Sequence, residues 1–315
     1  MGTKKNSPTS SRSRSHHPPK RFVETRLKDA TASGDARLAR LLQFDTRSRN
    51  FPMSELLGSR HRKPRSYTWN FWPDKSQVPH DQGNVGSCVG NSWAQECMIR
   101  PLATHMSERF AREKIYWEAQ RIDPWPGGEY PGASPRYAGT SVLAGAKVML
   151  ALGLFREYRW AFGLDDLIQT LGYHGPAVMG TSWYHDMYFP DKQGYVKPTG
   201  AYFGGHAYVA AGVSTTDRSV LFINSWGGAW GGGTGIRPGW FRMKYEDVDR
   251  LLHDAGEVCV PSLRRSPDFE DRIKEGGVRK RSAATVHTAS HSPTTSSSRH
   301  CTDCRIPLTH PAESR

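Results

Sequence analysis

The hydrophobic pattern of this sequence changes once along the chain, and that change limits the folds open to it. Before residue 176, four stretches carry apolar residues at helical spacing, and after it four stretches rich in β-branched and aromatic residues are typical of strands. Helices that come first and strands that come second predict an α+β fold, with an N-terminal helical lobe, a C-terminal antiparallel β lobe and a cleft between them for a site. The predicted helices are 87–106, 108–120, 139–154 and 162–175, and the predicted strands are 176–184, 206–214, 219–226 and 239–245.

The basic charge of the chain is concentrated at its two ends. Residues 1–65 hold 16 Lys and Arg against 5 Asp and Glu, and residues 262–315 hold 10 against 6, so the middle of this 315-residue chain is close to neutral. Polar ends of this kind bury too little apolar surface to fold alone. We therefore predict one folded domain at 66–261 between two disordered tails. Within the first tail, RLARLLQF at 37–44 predicts a short amphipathic helix. It could pack on the domain or be the remnant of a propeptide, but we expect a transient surface helix.

Cys88 follows a glycine-rich turn, in the stretch DQGNVGSC. Taken alone, this cysteine could be a packing residue, a metal ligand or a nucleophile, and packing is the commonest role. Its place at the start of a predicted helix favours a nucleophile, because the helix dipole lowers the pKa of a thiol there. Gly83 and Gly86 leave room for a substrate to approach the backbone.

Cysteine usage and apolar runs predict the compartment. The chain has five cysteines, of which Cys301 and Cys304 lie in the C-terminal tail, and three in the domain do not make a disulfide framework. The first residues lack the apolar region of a secretory signal, and the longest apolar run, 148–155, is far too short to span a membrane. We expect a cytoplasmic monomer without membrane association.

Two further segments place polar residues in apolar surroundings. His206 begins a strand-like stretch after two glycines, and Asn224 ends another strand 18 residues later. Taken alone, His206 is equally well explained as a core histidine with its hydrogen bonds satisfied, and Asn224 as a turn residue. In the order QGNVGSC, GGHA and NSWGGAWG, however, the segments resemble the papain-like cysteine peptidases, whose His and Asn lie far downstream of the cysteine. Among the members of this family, the compact bacterial and phage-encoded ones are the most similar in sequence pattern.

This resemblance implies a two-lobed papain-like fold and a cysteine-type peptidase that acts on peptides or proteins and needs no metal or cofactor. Cys88 would be the nucleophile, and His206 would be its base and later the acid. Asn224 would orient the imidazole through its side-chain carbonyl. Gln82 would donate its amide to the oxyanion together with the Cys88 N–H group, and Trp226 would cover the site.

The resemblance also suggests a cleft wall and shows two departures. Gly139, Thr140 and Ser141 would line one wall of the cleft and bind substrate. Val85 stands where the family usually has a cysteine, and Val89 stands where it usually has an aromatic residue. The long inhibitory propeptide of secreted members is not recognisable before the domain, so latency by that route is not expected.

Other functions stay open at this stage. The same site would serve a transamidase or isopeptidase, and a catalytically weak papain-like module could instead bind a partner. The basic tails could contact nucleic acid or acidic surfaces. HCTDC at 300–304 offers three possible zinc ligands without the second pair that a zinc site needs, and the glycine-rich run after Trp226 lacks the Lys-Ser/Thr of a phosphate loop. Substrate preference cannot be derived from these segments.

Overall fold

A seven-stranded antiparallel sheet and a buried helix packed against it organise the structure. The structure is a computed structural model, and it describes residues 34–43, 45–58, 64–69 and 78–264. These residues belong to one compact unit, Met1–Asp271, whereas the second unit, Arg272–Arg315, lies wholly outside the described residues. Most helices precede the main strands, so the predicted α+β class is confirmed.

The four predicted helices all form, three of them with shorter bounds than predicted and the second ending two residues later, at Ile122. The second of them changes type along its length, being α-helical at Glu108–Phe110, π-helical at Ala111–Tyr116 and α-helical at Trp117–Ile122. Short 3₁₀ helices occur at Ser48–Asn50 and His185–Tyr188. The described helices are α1 (Met53–Leu57), α2 (Cys88–Met98), α3 (the three segments just given), α4 (Val142–Ala151), α5 (Leu164–Tyr173) and α6 (Tyr245–His253).

The sheet has seven described strands: β1 (Tyr67–Thr68), β2 (Glu157–Trp160), β3 (Ala177–Tyr184), β4 (Tyr202–Ser214), β5 (Ser219–Ile223), β6 (Trp240–Lys244) and β7 (Glu257–Ser262). Their order is β2-β7-β3-β4-β5-β6, with β1 beside β4, and all neighbouring strands are antiparallel. In the β3–β4 register, Thr181 lies opposite His206. The long strand β4 therefore holds the predicted catalytic histidine near the middle of the sheet.

Strands β3 and β4 separate two hydrophobic cores. Val178 and Ala207 belong to the core around α2 and α4, whereas their strand neighbours Met179 and Tyr208 belong to the core that includes α5 and α6. This division follows from the pleat, which points successive side chains to opposite faces of the sheet. One face thus supports α2 and its first residue.

The pattern of the sequence does not predict β1, β2, β7 or α6. The strand β2 has four residues and pairs with β7 about a hundred residues later. Such short strands owe their conformation to distant partners, and local periodicity carries little signal for them. Among the described helices, none combines the length and the apolar character that crossing a membrane requires.

Part of the predicted N-terminal tail belongs to the folded unit. Residues 34–43 and 45–58 are described, and Leu38 and Met53 within them are fully buried. The predicted helix at 37–44 is wrong, because its described residues form the end of a turn and two bridges to other segments instead of a helix. Folded structure therefore begins before residue 66, while 1–33 and 265–315 lie outside the described residues.

Candidate active site

Cys88 is the first residue of α2, and buried polar contacts hold the turn that precedes it. The main-chain N–H group of His80 donates to Gln95 Oε1 at 3.0 Å, and His80 Nδ1 lies 2.9 Å from Asn91 Oδ1. Gln95 and Asn91 are both on α2, so the turn is bonded to the helix that it starts. Because buried polar groups that are fully paired resist displacement, these bonds fix the position of Cys88.

His206 is fully buried in β4, and Asn224 fixes its ring. Nε2 lies 2.7 Å from Asn224 Oδ1, which also accepts the main-chain N–H group of Ser225 at 2.8 Å. Because an amide oxygen only accepts, Nε2 carries the proton of the neutral ring and Nδ1 keeps a lone pair. Nδ1 has no hydrogen-bond partner among the residues that the structure describes. The rings of Trp183 and Trp226 each lie 4.9 Å from the imidazole, centroid to centroid, and shield it from water.

The cysteine segment and the histidine segment meet, although 118 residues separate them in the sequence. Helix α2 packs against β4, and the Cys88 thiol interacts with the main-chain N–H groups of Ala207, Ala39 and Val89. Ala207 directly follows His206 in β4. The thiol therefore lies against the residue next to the predicted base.

Gln82 connects the turn before Cys88 to the segment that holds Asn224. Its main-chain N–H group donates to Ser225 O at 2.9 Å, and its Oε1 accepts from Ser225 Oγ at 2.7 Å. Its Nε2 donates to Val85 O at 2.8 Å and to Arg37 O at 3.3 Å. The amide that was predicted to serve an oxyanion thus contacts a peptide carbonyl of the chain itself.

Three residues that shape this site could not be selected from the sequence. Ser225 holds Gln82, Trp183 packs on the imidazole, and Gln95 Nε2 donates to Asn224 O at 3.3 Å. Gln95 lies on a helix that is buried along its whole length, where a polar side chain needs a partner. The identity of that partner follows only from the fold.

Residues 35–43, which we call the strap, cross the site after a turn at 36–37, and Ala39 and Arg40 form β-bridges with Gly205 and Thr140. The main-chain N–H group of Arg40 donates to Gly205 O at 2.9 Å, and that of Thr140 donates to Ala39 O at 3.2 Å. Gly205 precedes His206, so the strap is bonded to the histidine strand on one side and to the Thr140 segment on the other. Cys88 and His206 both have 0% exposure beneath it. The described state of the site is therefore closed.

Polar and aromatic contacts anchor the first end of the strap. Arg37 Nη2 donates to Asp35 Oδ2 at 2.9 Å, and the hydroxyl of Tyr188 donates to the same oxygen at 2.6 Å. The guanidinium of Arg37 lies 4.4 Å from the centroid of the Trp226 ring. Burial alone would raise the pKa of Asp35, but the hydrogen bonds from Arg37 and Tyr188 outweigh it and lower the pKa to about 2.

The predicted cleft wall lies directly against the strap. A Cβ atom at Gly139, whose φ is +103°, would come within 2.2 Å of Ala39 O, so only glycine allows this approach. Ser141 Oγ donates to Gln43 Oε1 at 2.6 Å, and Thr140 bonds the strap through its main chain. The structure places all three residues beside an extended peptide, and their role in binding substrate stays a prediction.

Burial raises the pKa of Cys88, although the N–H groups of Ala207, Ala39 and Val89 favour the thiolate. The lowered thiol pKa expected at a helix start is therefore wrong for the closed state. Beneath the strap, the exclusion of water raises the pKa of the thiol, and this effect outweighs the lowering expected from its position at the start of the helix. Burial likewise lowers the pKa of His206 to about 4, against the effect of the Asn224 hydrogen bond. At neutral pH both groups are therefore uncharged beneath the strap.

The lowered pKa of His206 predicts that the folded chain loses stability in mild acid. An unfolded histidine titrates near 6.5, so stability is fully present above that pH and is lost as pH falls from about 6.5 towards 4. A shift of this size corresponds to about 3 kcal/mol of unfolding free energy. Denaturant titrations at pH 7 and pH 4.5 should show a smaller loss in His206→Gln than in the wild type. Equal losses in the two proteins would contradict the prediction.

No group of three or more His, Cys, Asp and Glu side chains within the described ranges could hold a metal ion. The possible zinc ligands at 300–304 lie outside those ranges.

The buried helix that starts at Cys88, the antiparallel sheet and the His206–Asn224 pair define a papain-like fold. A structure of xylellain, a cysteine protease from Xylella fastidiosa, matches 73% of this chain and 97% of its own with a TM-score of 0.52 and 18% identity. A structure of procathepsin L2 from Tenebrio molitor matches 76% of this chain and 80% of its own with a TM-score of 0.45 and 19% identity. The match to the xylellain structure confirms the papain-like fold that the resemblance predicts.

A curated relative is an uncharacterized peptidase C1-like protein of Acanthamoeba polyphaga mimivirus. It is 23% identical over 259 residues, which cover 63% of this chain and 78% of the relative. No protein-family model matches the chain. The similar proteins are therefore cysteine proteases and a peptidase C1-like protein. The curated relative comes from a giant virus, so it does not show the predicted bacterial or phage origin of this chain. That origin stays a prediction.

Proposed function

We propose that this chain is a thiol peptidase whose own strap closes the site in the described state. The observation that carries the proposal is the His206 ring, which is bonded to Asn224 through Nε2 and keeps Nδ1 unpartnered among the described residues. A ring held in this way is ready to accept a proton through Nδ1. The nearby Cys88 thiol is the proton donor that the chemistry requires.

The proposed reaction proceeds through an acyl-enzyme on Cys88. The thiol proton moves to His206 Nδ1, the sulfur bonds to the carbonyl carbon of the substrate, and the peptide C–N bond breaks as the imidazolium protonates the leaving amine. A water molecule then gives a proton to His206 and attacks the thioester, which releases the acid and restores the thiol. Asn224 holds the ring in the required tautomer throughout.

Gln82 would stabilise the oxyanion that forms when sulfur attacks the carbonyl. In the closed state its Nε2 donates to the carbonyl of Arg37. This contact supports the proposal, because it shows that a peptide carbonyl fits against that donor. A substrate carbonyl would take the same place only after the strap has moved away.

Replacing Ala39 with tryptophan is expected to open the site. A Cβ atom at Gly86 would lie 3.0 Å from Ala39 Cβ, and one at Gly139 would lie 3.2 Å from it, so no space remains for a larger side chain. We expect Cys88 in Ala39→Trp to react with iodoacetamide at least about tenfold faster than in the wild type, because the thiol regains contact with water. Peptide mapping by mass spectrometry would identify the modified cysteine.

The matched control is Ala36→Trp, a substitution at an exposed position of the same strap. It should leave the alkylation rate of Cys88 close to that of the wild type. If both tryptophan variants react alike, the strap does not limit access to the thiol.

The peptidase activity itself is tested with the opened full-length chain. Ala39→Trp should cleave peptides from a mixed library and form a covalent adduct with an epoxysuccinyl inhibitor on Cys88, and adding Cys88→Ala should abolish both. An opened chain whose Cys88 is alkylated but which cleaves no peptide would refute the proposal. A product extended by an added amine would instead show acyl transfer from the same site.

A further inference from the structure

Behind the cleft wall lie three polar side chains, Tyr116, Gln120 and Glu129, which we call the wall cluster. Tyr116 is fully buried, and its hydroxyl donates to Glu129 Oε2 at 2.6 Å. The same hydroxyl accepts from Gln120 Nε2 at 2.9 Å and from the main-chain N–H group of Gly139 at 2.8 Å. Burial, together with the neighbouring Glu129 carboxylate, raises the pKa of Tyr116 well above its ordinary value. The hydroxyl therefore keeps the proton that it donates, and its hydrogen-bonding capacity is fully used.

The wall cluster binds both polar main-chain groups of Gly139. The N–H group bonds to the tyrosine hydroxyl, and the carbonyl accepts from Gln120 Nε2 at 2.9 Å. The next residue, Thr140, directs its own main chain at the strap, where its N–H group donates to Ala39 O at 3.2 Å and its carbonyl accepts from Leu41 N at 2.9 Å. The cluster thus fixes the peptide unit that precedes these strap-binding groups.

The wall cluster also reaches the turn before Cys88. Glu129 Oε2 accepts the main-chain N–H group of Gly86 at 3.2 Å. A Cβ atom at Gly86 would lie 2.8 Å from Gly139 N, so the main chains of the turn and the wall are in direct contact. The described cysteines are all free, so no disulfide among the described residues joins the two. Hydrogen bonds and packing alone set the distance between the wall and the turn.

The wall lies at the end of an irregular connection. Residues 123–141 join α3 to α4 and contain neither helix nor strand, apart from the bridge at Thr140. Main-chain groups in such a connection depend on side chains for their partners, because no regular ladder supplies them. A wall that is held in advance in the conformation that a peptide needs loses less entropy on binding, and so it binds the peptide more tightly.

We infer that Tyr116, Gln120 and Glu129 are positioning residues that hold the cleft wall at a fixed distance from Cys88 and thereby determine how tightly the site binds an extended peptide. In the closed state this peptide is the strap, and in the open state it would be the substrate. The part of the inference that concerns the strap stands on the contacts above, and the part that concerns the substrate rests on the proposed peptidase function.

The first test uses Tyr116→Phe in the full-length chain with its natural strap. This variant removes only the hydroxyl, and the wall then holds the strap less firmly. We expect Cys88 to react with iodoacetamide at least about fivefold faster than in the wild type. Cys97 and Cys259 are buried in the same hydrophobic core as Cys88, so their unchanged rates would exclude general unfolding. An unchanged rate at Cys88, or an equal increase at all three cysteines, would overturn the inference.

The matched control is Tyr184→Phe. The hydroxyl of Tyr184 also donates to a carboxylate, Asp254 Oδ2, at 2.7 Å, but this pair does not contact the wall cluster. The variant should change the alkylation rate of Cys88 by less than about twofold. Equal acceleration in both tyrosine variants would overturn the inference, because the effect would then not depend on the wall.

Two variants of Glu129 test whether the cluster acts as a unit. Glu129→Gln keeps a side-chain oxygen that can accept the Tyr116 hydroxyl, whereas Glu129→Ala removes the bonds to both Tyr116 and Gly86. Alkylation of Cys88 should therefore be faster in Glu129→Ala than in Glu129→Gln. Combined with Tyr116→Phe, Glu129→Ala should add less than its separate effect, because the two residues share a hydrogen bond. Fully additive effects would contradict a connected cluster.

A binding measurement in the opened chain separates this inference from the peptidase proposal. A synthetic peptide with the sequence of the strap, DARLARLLQ, should slow alkylation of Cys88 in Ala39→Trp, and adding Tyr116→Phe should raise the concentration needed by at least about fivefold. That result supports the wall cluster even if no peptide is cleaved and the proposed function fails. Where cleavage occurs, KM should rise while kcat changes less than about threefold. A lower kcat with unchanged KM and unchanged protection would overturn the inference and leave the peptidase proposal standing.

Discussion

Substitution of His206 by alanine in the opened Ala39→Trp chain is expected to lower kcat for peptide cleavage by roughly 10⁴-fold. In the proposed reaction the imidazole is the base that removes the thiol proton and the acid that protonates the leaving amine, so its loss would affect both halves of the reaction. Its ring is held by Asn224 at 2.7 Å and enclosed by Trp183 and Trp226, which leaves little room for water to substitute for it. Initial rates with a fluorogenic peptide would measure the effect.

The control for this prediction is His253→Ala. His253 is exposed on α6, well away from β4 in the sequence, and its replacement should change kcat less than about twofold, as is usual for surface substitutions. Circular dichroism would establish that both variants are folded. A His206→Ala chain that is folded and retains most of its activity would exclude His206 as the base.

The second large effect is expected at Gln82. Replacing it with alanine should lower kcat by about 10²–10³-fold while KM changes little, because the oxyanion exists only in the transition state and the intermediate. In the proposed reaction Nε2 would donate to the oxyanion from the place where it now contacts the Arg37 carbonyl. Steady-state kinetics of Gln82→Ala in the opened chain would measure the two constants separately.

Gln82 also has a structural contact, and a second variant separates the two roles. Its Oε1 accepts the hydroxyl of Ser225, so Ser225→Ala removes that bond and leaves the Nε2 donor in place. Ser225→Ala should cost far less activity than Gln82→Ala. Equal losses would mean that Gln82 acts by positioning the turn and not by stabilising the oxyanion.

The sequence predicts those parts of the fold whose residues follow a local period. The buried helix after Ser87 and the strands that carry His206 and lead to Asn224 all have such a period. The strands β2 and β7 do not, because each owes its conformation to the other across a long stretch of chain. The helix predicted at 37–44 is wrong for the same reason, because the main-chain hydrogen bonds of the strap go to distant segments.

The residues of the candidate site also fall into two groups, those that a short motif identifies and those that only the fold brings together. Cys88, His206 and Asn224 can be selected from the sequence because each stands in a short motif. Trp183 stands in no such motif, and only the pairing of β3 with β4 brings it near the site. The closed state could not be predicted from the sequence either, because it depends on the burial of Cys88 under a segment some fifty residues earlier in the chain.

The covalent connection between the strap and the site has a consequence for how the chain would respond to dilution. A tethered segment competes at a fixed effective concentration, on the order of millimolar for short flexible connections, whatever the number of molecules in solution. The fraction of open molecules is therefore the same in a dilute and in a concentrated sample. A single cut in the chain between the strap and α2 would change this behaviour, because the freed segment would then dissociate on dilution and leave an active enzyme.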